Sequence, residues 1–280
     1  MVDTMRSNRG LSITRRTRLC MSLAGNPTDI GTRFHNYLYD ELDLDFVYKA
    51  FTTTDLPAAI AGIRALGIRG CGVSMPFKEA CIPLVDELDP SAEAIRSVNT
   101  IVNDDGGLRA YNTDYLAIRA LLARHAVPPD TAFALLGSGG MAKAVAAALH
   151  DAGFADGTVV ARNRATGAAL AERYGLAYRE ALGDRRPGLL VNATPVGMAG
   201  GPDPDGLPAD EAAIDAARYV FDVVAAPAET PLLRRAVGNR RTVIAGVEVI
   251  ALQAVEQFVL YTGVRPSDEQ VRRASAFSLA

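Results

Sequence analysis

The sequence predicts an α/β protein of two domains. The chain has 280 residues, more than one ordinary domain needs. Its first half alternates apolar strand-like runs with amphipathic helical stretches. Past the middle, a short apolar run enters a glycine-rich turn and then an alanine-rich stretch, as at the opening of a second α/β unit. Hydrophobic residues make up 49% and charged residues 22%, so each half has the means to bury a core of its own.

LCMSLAG (residues 19–25) reads as a buried strand and GTRFHNYLYDEL (31–42) as a helix. FVYKAF (46–51) is the next strand, and DLPAAIAGIRAL (55–66) a helix opened by Asp55 and its proline. RGCGVSMP (69–76) supplies a third strand and FKEACIPLVDEL (77–88) a third helix. This rhythm predicts a mainly parallel sheet with helices on its faces. SVNTIVN and LRAYN then flank Asp104-Asp105-Gly106-Gly107, a hairpin signal. YLAIRALLARHA (115–126) is a long amphipathic helix placed to act as a hinge. Further strands lie in TVVARNRA, RPGLLVNATPVGM and ARYVFDVVA. VIAGVEVIALQAVEQFVLYTG adds a strand, a glycine and a long apolar helix, and PSDEQVRRASAF a final capped helix.

The formal net charge is −3 with no lysine-rich block, which disfavours nucleic acid or anionic membrane as a main partner. No apolar run is long enough to cross a bilayer. The first 18 residues carry arginines without an apolar segment and read as a frayed basic tail rather than a secretory signal, although they loosely mimic a transit peptide. The three cysteines, Cys20, Cys71 and Cys81, form no CxxC, which points to a reducing, cytoplasmic setting with Cys20 and Cys71 in the core. His35, His125 and His150 have no ligand spacing, and no metal is expected.

Gly137-Ser138-Gly139-Gly140-Met141-Ala142 fits the G-x-G-x-x-G/A pattern, between an apolar strand and a helix, as a Rossmann-type dinucleotide domain requires. Gly137 permits the tight turn, Gly139 lets the backbone approach a pyrophosphate, and Ala142 keeps helix and strand close. The positive end of the helix suits an anion. The next strand ends in Arg162-Asn163-Arg164 with no carboxylate to bond a ribose 2′-hydroxyl. Guanidinium groups suit a 2′-phosphate instead, so the cofactor expected is NADP. Thr194 follows a later strand, where ligands bind in such sheets.

Lys78 and Asp114 also stand where strands turn into helices. Oxidising an alcohol by hydride transfer requires a group that takes the hydroxyl proton. A lysine oriented by a carboxylate can do so. Residue placement alone favours a surface lysine and a helix N-cap aspartate over a catalytic pair.

SMPFKEA, SVNTI, YNTDYLA, GSGGMAKA, VNATPVGM and VIALQAVEQF, in that order from about residue 19 to 263, resemble the shikimate dehydrogenase family, closest to its shikimate dehydrogenase-like branch. The resemblance implies an N-terminal α/β substrate domain (17–114 with 247–280) and a Rossmann-type NADP domain (115–246), with the active site in the cleft between them. It implies hydride transfer between NADP and shikimate or 3-dehydroshikimate in aromatic amino acid biosynthesis. Lys78 and Asp114 match the catalytic pair. Ser74, Asn99 and Gln253 match positions that bond substrate hydroxyls. Arg162 and its neighbours match the 2′-phosphate loop, and Val223 and Gly246 positions lining the nicotinamide.

Two features depart from the family pattern. Asp29 and Gly31 stand where it has a Ser-x-Ser pair that binds the substrate carboxylate, which leaves Thr32 or Arg33 to do so. Ala225 stands in place of a substrate-contacting tyrosine. Each missing bond to a charged group is worth roughly 1.5–3 kcal/mol, so weak activity on shikimate is expected, or a different hydroxy acid. A quinate or other hydroxy-acid dehydrogenase and a non-catalytic NADP-binding sensor are the alternatives. Reaction direction and assembly stay open, a homodimer among the options.

Overall fold

Two six-stranded sheets, each with helices packed on it, organise the computed structural model, which describes residues 12–279. The expected frayed tail falls mostly outside these residues. The chain divides into two compact units. The first runs to Thr113 and resumes at Ala254, and the second is the continuous stretch Asp114–Gln253.

In the first unit the strands are β1 (Arg18–Leu23), β2 (Phe46–Phe51), β3 (Gly70–Val73), the short β4 (Glu87–Leu88), β5 (Thr100–Asp104) and β6 (Gly107–Tyr111), in the order β2-β1-β3-β5-β6-β4. β2, β1 and β3 are parallel, because helices α1 (Asp29–Glu41) and α2 (Leu56–Ala65) cross over between them. The Asp55 carboxylate caps α2 by accepting the Ala58 N–H at 3.0 Å. β5 and β6 form an antiparallel hairpin whose turn residues Asp105 and Gly106 both have positive φ (50° and 93°), the backbone that an Asp-Gly pair accommodates.

The helix expected over residues 77–88 is shorter. α3 (Phe77–Ala80) stops before Pro83, which has no N–H to continue the ladder. A 3-10 turn follows at Ile82–Leu84, and Glu87 and Leu88 pair with β6. α4 (Pro90–Glu93) then leads to β5.

Strand alternation gives the first sheet two faces. Leu23, Cys71, Val73 and Ile101 pack under α2 with Ile60 and Ile63. Cys20, Tyr48 and Val102 pack with Phe34, Leu38 and Tyr39 of α1 and with Phe258, Tyr261 and Ala274 of the two C-terminal helices. All three thiols are buried, and burial pushes that of Cys20 up to about 12.

The second unit comprises α5 (Thr113–Arg124), β7 (Phe133–Leu136), α6 (Gly140–Asp151), β8 (Gly157–Val160), α7 (Arg164–Arg173), β9 (Ala177–Arg179), β10 (Leu189–Asn192), α8 (Glu211–Ala216), β11 (Tyr219–Asp222), α9 (Pro231–Gly238) and β12 (Thr242–Ala245). Its sheet is parallel throughout, in the order β12-β11-β10-β7-β8-β9. β7, β8, β10 and β11 are buried along their whole length, hence their continuous apolar runs. α10 (Gly246–Thr262) crosses the boundary back into the first unit, and α11 (Asp268–Leu279) ends the chain. Among the described residues no helix is long and apolar enough to cross a membrane.

His35 of α1 is 1% exposed and stacks on Tyr48, with ring centroids 4.4 Å apart. Its Nδ1–H donates to Gly31 O at 2.9 Å, while Nε2 is buried without a hydrogen-bond partner. Burial lowers its pKa from 6.5 to about 4. The unfolded chain therefore takes up a proton at higher pH than the fold does, and stability must fall as pH drops from 6.5 towards 4. The loss amounts to roughly 3 kcal/mol once the folded-state histidine titrates. His35→Phe keeps the ring and removes the titration, so urea unfolding at stepped pH should show a shallower acid decline in that variant. Parallel declines would contradict this account.

Candidate active site

In the first unit, backbone bonds gather the ends of three strands. Ser74 N donates to Leu23 O (2.9 Å), Gly25 N to Met75 O (2.8 Å), Val73 N to Asn99 O (2.7 Å) and Val98 N to Lys78 O (2.9 Å). Ser74, Lys78 and Asn99 thus sit on neighbouring loops at one end of the central strands. Gly25 belongs there because a Cβ would lie 3.0 Å from the ring of Pro76. Ser74 is exposed, Lys78 is half-buried, and Asn99 is buried. The Asn99 Oδ1 accepts from Thr113 N (2.8 Å), Thr113 Oγ1 (3.1 Å) and Thr100 Oγ1 (2.9 Å). Asp114 follows Thr113 directly, in the first turn of α5.

Asn36 ties the middle of α1 to β2. Its Nδ2 donates to Thr32 O (2.9 Å) and Tyr48 O (2.8 Å), and its Oδ1 accepts the Tyr48 N–H (2.9 Å). Asp29 lies in the first turn of this helix, and a Cβ on Gly31 would lie 3.9 Å from the Tyr48 ring. Thr32 Oγ1 is buried with no hydrogen-bond partner. Arg33, expected as an alternative carboxylate ligand, instead lies over the Phe277 ring at 4.7 Å, where the aromatic face attracts the cation.

In the second unit Gly137 has φ 110°, and a Cβ there would lie 2.8 Å from Ala193 O and 3.3 Å from Thr194 Cγ2. The bare turn therefore lets the Thr194 loop lie against it. Gly139 caps α6. A Cβ on Gly139 or Gly140 would meet nothing within 4 Å, so the helix start, an end that attracts anions, opens onto free space. Met141 is half-buried. Ala142 is 0% exposed, so it packs helix against strand rather than reaching a ligand. Ser138 Oγ bonds Thr166 Oγ1 at 2.8 Å, tying the glycine turn to the basic loop. Asn163 caps α7, accepting the Thr166 N–H at 3.2 Å. Arg162 and Arg164 are exposed, Arg164 lying 4.0 Å from Glu180. These donors fit a phosphorylated dinucleotide. Among the described residues no three His, Cys, Asp or Glu side chains are grouped to hold a metal.

A buried carboxylate that sequence reasoning missed holds two of these loops. Asp222, 0% exposed, accepts from Asn192 Nδ2 (3.0 Å), Val224 N (3.1 Å) and Thr230 Oγ1 (2.6 Å). Asn192 Oδ1 in turn accepts from Thr194 N (3.1 Å) and Thr194 Oγ1 (2.6 Å). Burial raises the pKa of Asp222. Its signal in the sequence was a lone aspartate ending an apolar strand. Gly246 meets the same segment: a Cβ there would lie 2.4 Å from Val224 O and 2.5 Å from Val223 O.

Residues 29–101 match the family model described as the shikimate dehydrogenase substrate binding domain. A shikimate dehydrogenase-like protein of Haemophilus influenzae is 55% identical over 95% of this chain and 98% of its own. The solved structure of a shikimate 5-dehydrogenase-like protein superposes with a TM-score of 0.95 at 54% identity, over 96% of this chain and all of the other. Shikimate 5-dehydrogenase from Thermus thermophilus, solved in complex with NADP(H) and shikimate, gives a TM-score of 0.82 at 30% identity, over 93% and 99% of the two chains.

Gly246→Ala should cost about 1–3 kcal/mol in urea unfolding, because backbone atoms must move to admit the methyl group. Gly140→Ala, facing open space at a helix start, should leave stability unchanged or slightly raised. Equal effects would show that the close approach at Gly246 constrains nothing.

Proposed function

The chain belongs to the shikimate dehydrogenase family, and on that premise we propose that it is an NADP-dependent oxidoreductase acting on shikimate, weakly, or on a related cyclic hydroxy acid. The observation that carries the reading is the gathering of Ser74, Lys78 and Asn99 at one end of the central strands, in a chain whose second unit opens a glycine turn onto a helix start. Bound NADP+ would supply the hydride acceptor. Lys78 takes the hydroxyl proton of the substrate. Asp114 orients Lys78 and bonds a substrate hydroxyl. Ser74, Asn99 and Gln253 hold the other hydroxyls, and Thr32, with its unpartnered buried oxygen, bonds the carboxylate. Arg162, Asn163 and Arg164 take the 2′-phosphate. Gly137, Ser138, Gly139, Gly140 and Met141 cradle the diphosphate beside Thr194, and Val223 and Gly246 line the nicotinamide.

Weak activity on shikimate follows from Asp29, Gly31 and Ala225. None of these donates a side-chain hydrogen bond to a carboxylate, and Arg33 is engaged on Phe277. The negative net charge and the three buried thiols support a small-molecule substrate and a cytoplasmic setting.

The test is NADPH formation with shikimate, quinate and a panel of related hydroxy acids. With shikimate, Lys78→Ala should lower kcat at least about 100-fold while leaving NADPH affinity nearly unchanged. Equal loss of both contradicts the role given to Lys78. A signal only with another hydroxy acid means the substrate end has changed. Tight NADPH binding without turnover of any of them favours a binding module. Replacing Asp29 and Gly31 by serine should raise kcat/KM for shikimate about tenfold; no gain would show that this loop does not limit the substrate.

A further inference from the structure

A buried polar chain runs through the aromatic core of the first unit and ends beside the candidate site. Gln257 of α10 is 8% exposed, among Phe258, Tyr261 and Val255. Its Nε2 donates to Asn99 O at 3.2 Å and to Thr100 Oγ1 at 3.0 Å. The Thr100 hydroxyl donates in turn to Asn99 Oδ1 at 2.9 Å, the oxygen that also accepts both Thr113 donors. Because the Thr113 backbone N–H can only donate, it identifies that end of the carboxamide as oxygen. The amide nitrogen of Asn99 is then the end not engaged in this cluster.

The sheet makes room for this arrangement. Gly72 pairs with Thr100, and a Cβ at Gly72 would lie 2.9 Å from Tyr48 Oη and 3.6 Å from Gln257 Nε2. Apolar side chains filling the same space would avoid desolvating a glutamine and a threonine. Such a network stabilises only when its members are satisfied, and what it then confers is a single orientation of the groups it holds.

We propose that Gln257 and Thr100 are positioning residues that lock the Asn99 carboxamide, presenting its nitrogen to a substrate hydroxyl. This rests on the reading of Asn99 as a substrate-binding residue.

Thr100→Val removes the hydroxyl with little change of shape, and Thr100→Ser keeps it. With shikimate as the probe, Thr100→Val and Gln257→Leu should raise KM about 5- to 10-fold. In both, kcat and the KM for NADP+ should stay near wild type, and Thr100→Ser should restore the wild-type KM. Parallel loss of kcat and cofactor affinity, or no change in KM, overturns the proposal. Asn99→Ala separates it from the reading beneath it. A raised KM in Asn99→Ala, with none in Thr100→Val, sinks the positioning role alone. An unchanged KM in Asn99→Ala removes the assignment of Asn99 and the proposal with it. Should wild type not oxidise shikimate, a crystal structure of Thr100→Val decides: a turned Asn99 amide supports the lock, and an unmoved one overturns it.

Discussion

Two absent side chains in the middle of the first sheet govern what can lie above it. A Cβ on Gly70 would stand 2.2 Å from the Tyr261 ring, and one on Gly72 would stand 2.9 Å from Tyr48 Oη. Because both positions are bare, Tyr261 and Tyr48 descend to the level of the backbone, and His35 stacks on Tyr48. Phe258 and Tyr39 then stack with centroids 5.3 Å apart. The height of α1 over the sheet follows, and with it the placement of Asp29, Gly31 and Thr32. The second sheet repeats the device: a Cβ on Gly157 would stand 2.1 Å from the Phe133 ring. Close packing transmits such constraints because an interior has little slack to absorb an added methyl group.

The second unit relies on a different kind of restraint. The connections after β10 and β11 run over residues 193–210 and 223–230 without helix or strand. A single buried carboxylate gathers donors from three of its segments instead. Burying an ion is unfavourable, as the raised pKa of Asp222 reflects, and the arrangement persists because three donors converge on it. The loops bearing Thr194 and Val223 are thereby fixed relative to each other before any ligand arrives, which is what preorganised binding requires.

Elements whose signals are local were legible in the residues. The Asp55 cap, the Asp105-Gly106 turn and the glycine turn at Gly137 are each specified by a few neighbouring residues. The helix over 77–88 misled because its apolar spacing continues past Pro83, and a proline outweighs periodicity. Helices α7, α8 and α9 are short and went unmarked for want of a long periodic stretch. Polar networks were least legible. Nothing near Gln257 in the chain announces that it reaches Thr100, 157 residues away. Arg33 shows the converse: its charge suggested a ligand for an anion, and only the fold reveals the Phe277 ring that engages it. The motifs around Lys78 and Asp114 were visible because the family resemblance spans nearly the whole chain.

The order of the chain also has a consequence for biosynthesis. The first unit is interrupted at Thr113 and completed only from Ala254 onward, whereas the second is continuous. A ribosome therefore releases the whole first sheet long before it makes Phe258, Tyr261 and Ala274, which cover one face of it. Throughout translation of the intervening unit, that face, with Cys20 and Tyr48 upon it, lacks its C-terminal cover. The nascent protein thus carries an unfinished apolar surface while residues 114–253 are made, and exposed apolar surface of that kind is prone to association. A chain truncated near its end would lose the closing layer of the first unit while the second stayed whole.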